Sequence, residues 1–434
     1  MSHIITPGTQ VAPVEHEHTE SRQARTQRLS TGALIGVVGL LLLWMVTRTS
    51  GTARFALSDA FAAVKLPTVS LPGLPTVLIS AVLCLVAAAA FIRGGLPRRG
   101  SALAGTVAGL AVVIGFLAWA AAGRDLPFPV ANQFNGTLTF ATPLVFGALT
   151  GVFCERAGVV NVAIEGQMLT AAFSAALVGS ITHSVTAALI AAMLTAVAMA
   201  ALLALFSINY LVDQVVLGVV LNLLASGLTG FLFDQMVQPN AASYNSAPIL
   251  QRIAIPGLSD VPFLGPVLFE QTVLAYMAFA AVPLTWYLLW RTKWGLRVRA
   301  VGEHPHAADT VGISVVRTRW SSVLVGGLFA GLGGAFFTVG SVGQFNKEIT
   351  VGNGFIALAA LIMGRWRPGL AALMALFFGF VTQMASQLQS INTPMPSQFL
   401  LILPYIATII AVAGLVGRVR APASDGVPYI SEHD

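Results

Sequence analysis

Two stretches of this sequence carry no Asp, Glu, Lys or Arg: residues 166–212, 47 in a row, and residues 368–417, 50 in a row. About 20 apolar residues cross a bilayer, so each stretch supplies two crossings, turning near 179–184 and 392–396. Segments of this kind leave no way to build a water-facing surface around them. Only 9% of the chain is charged and 56% is hydrophobic, against about 25% charged in an ordinary soluble domain. The fold class that follows is all-α, a polytopic transmembrane helical bundle.

Further apolar runs lie at 32–47, 76–92, 101–122, 137–153, 214–233, 271–290 and 320–341, with a short one at 353–364. The expected total is about 10–12 spanning segments, 10 if 137–153, 164–181 and 353–364 are half-spans. The expected organisation is a polar cytoplasmic tail at 1–30, accessory membrane spans at 31–130, a core at 131–418 and a second cytoplasmic tail at 419–434. The first apolar run reads as an uncleaved span. With the N-terminus inside and each segment crossing, 17 of the 23 basic residues fall on the cytoplasmic side. That bias predicts both termini inside. The net charge of +6 follows from this distribution and does not point to nucleic acid. Cys84 and Cys154, both in or beside apolar runs, read as buried free thiols. Glu15-His16-Glu17-His18 reads as part of a solvated tail rather than a metal site.

The most informative interruption falls within 141–176. An apolar run stops at Cys154, Glu155 and Arg156 follow, then Gly158 and Asn161, and Glu165 opens the next run. Helix, polar break and helix at membrane depth is how transporters place irregular backbone beside a cavity. The halves 137–233 and 320–416 echo one another weakly, each with a long span, a Gly/Asn-marked interruption and small-residue helices.

The order Glu155-Arg156-Ala157-Gly158-Val159-Val160-Asn161, then Glu165-Gly166, resembles the signature of permease subunits of bacterial ABC importers. The family is the ribose/branched-chain amino acid one, and the nucleoside-uptake branch is the nearest in pattern. The resemblance covers about 137–416. It implies alternating access and nucleoside cargo, with a simple sugar such as ribose as the alternative. It also implies a separate cytoplasmic ABC ATPase that uses ATP and Mg, a second permease subunit and an external substrate-binding lipoprotein. Residues 295–313 resemble the cytoplasmic coupling loop of that family, assigning Arg297, Arg299, Glu303, His304, Pro305 and Ala308 to ATPase docking. Pro305 suits a first helical position and Gly312 a stop, which predicts a short helix over about 305–311.

Polar side chains within apolar runs are costly and mark function or structural need. Glu165 has two readings, a hydrogen-bond partner for cargo or a carboxylate in the first turn of the resumed helix. Asn161 likewise reads as a helix cap or as part of the pathway. Asn222 and Gln383 face a polar pathway or bond to a neighbouring helix. Asn353, between two glycines, is placed to line the second interruption. Phe345 and Trp366 stack on a base or pack. None of the lysines (Lys65, Lys293 and Lys347) sits in a Gly-Lys-Ser/Thr phosphate loop. No catalytic or metal-ligating constellation is visible, so the chain is expected not to be an enzyme and to bind no cofactor itself. An ion-coupled transporter and a membrane scaffold are the rival classes. The former has few buried acids to work with, and the latter does not need the break.

Overall fold

A computed structural model describes residues 22–58, 65–391, 393, 396–410 and 420–430. The His/Glu run at 15–18 and most of the turn at 392–396 lie outside them. The chain divides into two compact units, residues 1–50 with 73–119 and residues 51–72 with 120–434.

The first unit contains α1 (Arg22–Val46), and α2 (Gly73–Arg93) and most of α3 (Arg98–Ala121) follow the excursion at 51–72. Leu42, Ala81, Cys84 and Ala111 form its small core. Arg28 Nη1 donates to the carbonyls of Phe91 and Ile92 at 2.5 and 2.7 Å, a cation on the C-terminal end of α2. Helix α1 starts ten residues before the expected apolar run, because the polar stretch ahead of that run continues the helix in solvent.

In the second unit β1 (Thr52–Ala56) pairs antiparallel with β2 (Val69–Pro72), and parallel with β3 (Phe128–Pro129), in the order β2-β1-β3. Strands β1 and β2 fall in the polar, proline-containing stretch between the apolar runs 32–47 and 76–92. Helices α4 (Val130–Arg156) and α5 (Ile164–Thr182) flank the break, and α6 (Val185–Ala204) and α7 (Gln214–Leu232) follow. The proline-rich stretch after α7 holds α8 (Ala241–Tyr244), β4 (Arg252–Ala254), α9 (Leu264–Leu268) and β5 (Glu270–Thr272), with β4 and β5 antiparallel. Helix α10 (Val273–Arg291) leads to α11 (Lys293–Glu303) and α12 (Pro305–Thr310). Then come α13 (Val315–Phe337), α14 (Asn353–Met363), α15 (Pro368–Ser390) and α16 (Ser397–Ile410).

Among the described residues ten helices are long and apolar enough to cross a membrane: α1 to α7, α10, α13 and α15. Two of the suspected half-spans are full helices. The 137–153 run belongs to the 27-residue α4, and 164–181 to the 19-residue α5. The third, α14, has only 11 residues, about 16 Å at 1.5 Å per residue, too short to cross alone. Helices α4, α5 and α13 form the interior of the second unit. Helix α4 packs on α15, α13, α14 and α10, and α5 on α6, α13, α7 and α14. Its main core gathers Phe146, Phe153, Phe329, Leu361 and Phe378. Exposed apolar side chains on α6 and α7, such as Leu194, Leu223 and Phe231, face outward, as lipid contact requires. Both cysteines are free and buried.

Candidate functional site: two interruptions meeting at a short helix

The break at 157–163 is irregular, largely buried backbone, and its polar groups need partners. Side chains of α4, α5 and α7 supply them. Val160 N–H donates to Gln214 Oε1 at 2.7 Å. Asn161 Oδ1 accepts from Ala163 N–H at 3.1 Å, a local turn before α5 rather than the cap position, which Ala163 itself occupies. Asn161 Nδ2 reaches Gln167 Oε1 at 3.2 Å and Cys154 Sγ at 3.4 Å. Asn222 accepts from Gly166 N–H at 2.8 Å and donates to the Val162 carbonyl at 3.0 Å. Asn222 therefore fastens α7 to the break.

Glu165 lies in the first turn of α5, yet its carboxylate is bound by another helix. Oε1 accepts from the Thr350 hydroxyl at 2.5 Å and from Gly352 N–H at 2.9 Å, and Oε2 accepts from Gly354 N–H at 2.6 Å. The carboxylate thus sits on the N-terminus of α14, where backbone N–H groups and the helix dipole favour an anion. A Cβ at Gly354 would lie 2.5 Å from Glu165 Cα, so only glycine admits this approach. The other end of α14 is held by the charges that close α4. Arg156 Nε donates to the Trp366 carbonyl at 3.0 Å and Nη2 to the Arg365 carbonyl at 3.4 Å, a cation on a helix C-terminus. Glu155 accepts from the Trp366 indole. The two interruptions of the sequence, 157–163 and 343–352, therefore meet at α14, with acid at its start and base at its end.

Beside this clasp is a cavity of about 530 Å³ between α4, α13, α14, α15 and α16. Its polar lining is Thr139, Ser341, Asn353, Thr382, Ser386, Gln389 and Tyr405, and Phe140, Phe336 and Phe337 add aromatic faces. The volume falls within the usual 300–1,000 Å³ of small-molecule sites. Of the six pathway candidates read from sequence, Asn353 lines this cavity. Its Nδ2 donates to the Thr350 carbonyl at 2.7 Å. Glu165, Asn161 and Asn222 bind the break, as above. Gln383 is buried and reaches the Asn132 carbonyl at 3.4 Å. Phe345 is buried between Phe173 and Phe233, ring centroids 5.1 and 5.9 Å away. Asn245 brackets its backbone, accepting at 2.6 Å and donating at 3.0 Å.

The arm at 293–310 is two helices. Thr292 caps α11, accepting from Gly295 N–H at 3.0 Å, where the sequence suggests only a basic loop. Helix α12 starts at Pro305 as expected and stops at Thr310, with Gly312 at φ +81°. Arg297 and His304 are exposed. Arg299 donates to the Leu289 carbonyl at 3.0 Å and lies over Trp290. Glu303 is half-buried and Ala308 fully buried.

Sequence reasoning passed over Gln214, Thr350 and the hydroxyls on α15. One signal was available: Thr350-Val351-Gly352-Asn353-Gly354 runs glycine-rich into a helix, a pattern that cradles anions.

The family model described as branched-chain amino acid transport system / permease component matches residues 133–412. The guanosine ABC transporter permease protein NupQ of Bacillus subtilis is 39% identical over 303 residues, 68% of this chain and 95% of that protein. The nucleoside ABC transporter permease protein NupC of Lactococcus lactis is 40% identical over 317 residues, 71% and 98% respectively. A putative glucose ABC transporter permease protein, TsgC13 of Haloferax volcanii, is 32% identical over 311 residues, 67% and 93%. No solved structure matches the chain. With the match spanning both interruptions, the cavity and the arm, the chain belongs to the branched-chain amino acid transport permease family of multi-pass membrane proteins.

Proposed function

We propose that this chain is the transmembrane permease subunit of an ABC importer that moves nucleosides into the cytoplasm. The observation that carries this reading is its similarity, at 39 and 40% identity over nearly their whole length, to permeases named for guanosine and nucleosides. The chain performs no chemistry of its own in this reading. A separate cytoplasmic ABC ATPase uses ATP and Mg, a second permease subunit completes the pathway, and an external lipoprotein delivers cargo. Both termini and the α11–α12 arm face the cytoplasm, in keeping with the distribution of basic residues. The exposed face of α12, with His306 and Ala307, and Val311 just beyond its end, receives the ATPase.

The cavity at α14 is the cargo passage. Its hydroxyls and amides suit a neutral cargo rich in donors and acceptors, and its phenylalanines suit a flat base. The experiment is uptake of radiolabelled guanosine by cells with and without the gene, repeated after ATP depletion and after a protonophore. Gene-dependent uptake that needs ATP and survives the protonophore is the expected result. Uptake abolished by the protonophore alone would sink the importer in favour of an ion-coupled transporter. A second reading, sugar import, is favoured by the 32% identity to the putative glucose permease. Gene-dependent glucose or ribose uptake, with none for guanosine, would establish it instead.

A further inference from the structure

The family match ends at residue 412, yet residues 420–430 follow a defined path across the arm and the break. The tail alternates between the two. Ser424 N–H donates to the Gly302 carbonyl at 2.9 Å and its hydroxyl to the Glu303 carbonyl at 3.3 Å, and Ala423 N–H donates to Glu303 Oε2 at 3.3 Å. These contacts hold the end of α11. The next two residues turn to the break. Asp425 stands beside Glu155 and the Arg319 guanidinium, its Oδ1 buried without a hydrogen-bond partner, and Gly426 lies against Val160. Arg319, almost wholly buried on α13, then donates to the Val427 carbonyl at 3.1 Å. Finally Tyr429 returns to the arm. Its hydroxyl donates to Asp309 Oδ2 at 2.6 Å, its ring lies 5.2 Å from that of His306, and it packs with Val301, Ala308 and Val315.

The surroundings are built to admit this path. Gly158, at φ +83°, would bring a Cβ to 2.9 Å from the Ser424 carbonyl oxygen. Gly302 would bring one to 2.1 Å from the Arg156 carbonyl oxygen, so α11 ends flush on the break. Helix α12 has six residues. A helix that short has no stability of its own in water, so its position depends on what packs against Ala308, and Tyr429 is part of that packing.

We propose that residues 420–430 form a positioning strap that locks the α11–α12 arm to the α4–α5 break, so that displacement of α12 by an ATPase is carried to α14. The proposal rests on the importer reading above. The strap's flanks grip the arm and its centre grips the break. The chain from Ala423 to Tyr429 thus adds a second link between arm and break beside their direct contact at Gly302 and Arg156.

The test compares the full chain, a chain ending at Val419, and Tyr429→Phe, which keeps the ring and loses the bond to Asp309. In the purified membrane-inserted chain, amide exchange is read as protection factors. Cutting the strap should lower protection across 293–313 about tenfold or more and leave α6 and α15 unchanged. Tyr429→Phe should give a smaller loss over the same segment. In vesicles holding the assembled complex with its ATPase, labelled guanosine imported per ATP hydrolysed should fall about fivefold or more. ATP hydrolysis itself should stay within about twofold. Unchanged protection of 293–313 overturns the strap. So does loosened protection with unchanged import per ATP. Import and hydrolysis falling together with a lowered melting temperature also overturns it, since a merely stabilising tail behaves that way. The exchange measurement needs no partner. A wild-type complex that imported nothing would therefore overturn the importer reading, while the exchange result would still decide whether the tail holds the arm.

Discussion

Glu165 is the residue whose replacement separates architecture from cargo recognition. Its carboxylate accepts three hydrogen bonds, all from the loop and first turn of α14. In Glu165→Gln one oxygen becomes a donor facing a donor. With the new NH2 turned to Gly354, one charge-assisted bond worth about 1.5–3 kcal/mol is lost and the other two drop to roughly half strength, a total of about 3–6 kcal/mol. Glu165→Ala orphans three donors at about 1–3 kcal/mol each, roughly 3–9 kcal/mol. At about 2 °C per kcal/mol, the lower end for large domains, Gln should lower the melting temperature by roughly 6–12 °C. Ala should insert in low yield. Asn161→Ala should follow the same pattern, because its amide shapes the same turn. The assay pairs thermal unfolding of the purified chain with guanosine uptake against concentration, normalised to inserted protein. Surviving Glu165→Gln protein should show half-saturation within about twofold of wild type. A variant that melts normally yet needs about fivefold more cargo would refute the clasp, since a loss near 1 kcal/mol in affinity alone marks cargo contact.

Three further outcomes are expected. A cysteine replacing the exposed Asp260 should react with an impermeant maleimide from outside intact cells, and one replacing Thr310 only after permeabilisation; the reverse pattern would overturn the orientation. Asn222→Ala strips the Gly166 N–H and the Val162 carbonyl of their partner, at about 1–3 kcal/mol for each, and a melting temperature equal to wild type would show that water replaces the amide. The third outcome concerns pH. Burial pushes the Asp425 carboxyl up to about 7, against the pull of the neighbouring Glu155 and of the Arg319 guanidinium. A carboxyl raised in the docked state binds its proton more tightly there than in a free tail near 3.9. The docked tail is thus favoured at low pH and weakens as pH rises toward 7. Glu155 from α4 and Arg319 from α13 face it. Protection of 293–313 should therefore fall between pH 5.5 and 7.5, and Asp425→Asn should remove that dependence. A profile identical in the variant would assign the titration to another group.

What the sequence made legible was local. Pro305 and Gly312 announce α12 because a helix's first position and its stop are set within a few residues. The charge-free runs announce the spans because bilayer thickness fixes their length. Helix α11 has no such local signal, and Gly295 lies within its first turn. Its Cβ would lie 2.1 Å from the Leu288 carbonyl oxygen, so tertiary packing requires glycine there against its helix propensity. The partners of Glu165 stand 185 to 189 positions away, and those of Ala423 and Tyr429 stand 120 away. No periodicity records such pairings. Phe345 shows the same limit. Its type fits a base-stacking role or a packing role equally, and only Phe173 and Phe233 on either side show what its ring faces.

The polar residues that interrupt the apolar runs have a common cause once the backbone of the break is followed group by group. Val160, Ala163 and Gly166 each present an N–H in the packed interior of the break, and Gln214, Asn161 and Asn222 each answer one. Gly352 and Gly354 present two more, and Glu165 answers both. Buried, each such group left alone would cost about 1–3 kcal/mol. Amides and a carboxylate are thus the chemistry that lets two helices be broken there. The same reasoning separates these residues from the cavity. A side chain already engaged by the backbone and hydroxyl donors around it gives up those bonds if it turns to a cargo. In the proposed importer, recognition falls instead to groups lining the space beside the clasp, such as Ser386, Gln389 and Tyr405, whose residue types are too ordinary in a membrane helix to stand out. Of the polar residues conspicuous in the sequence, Glu165, Asn161 and Asn222 thus hold backbone, and Asn353 alone of the six candidates reaches the cavity.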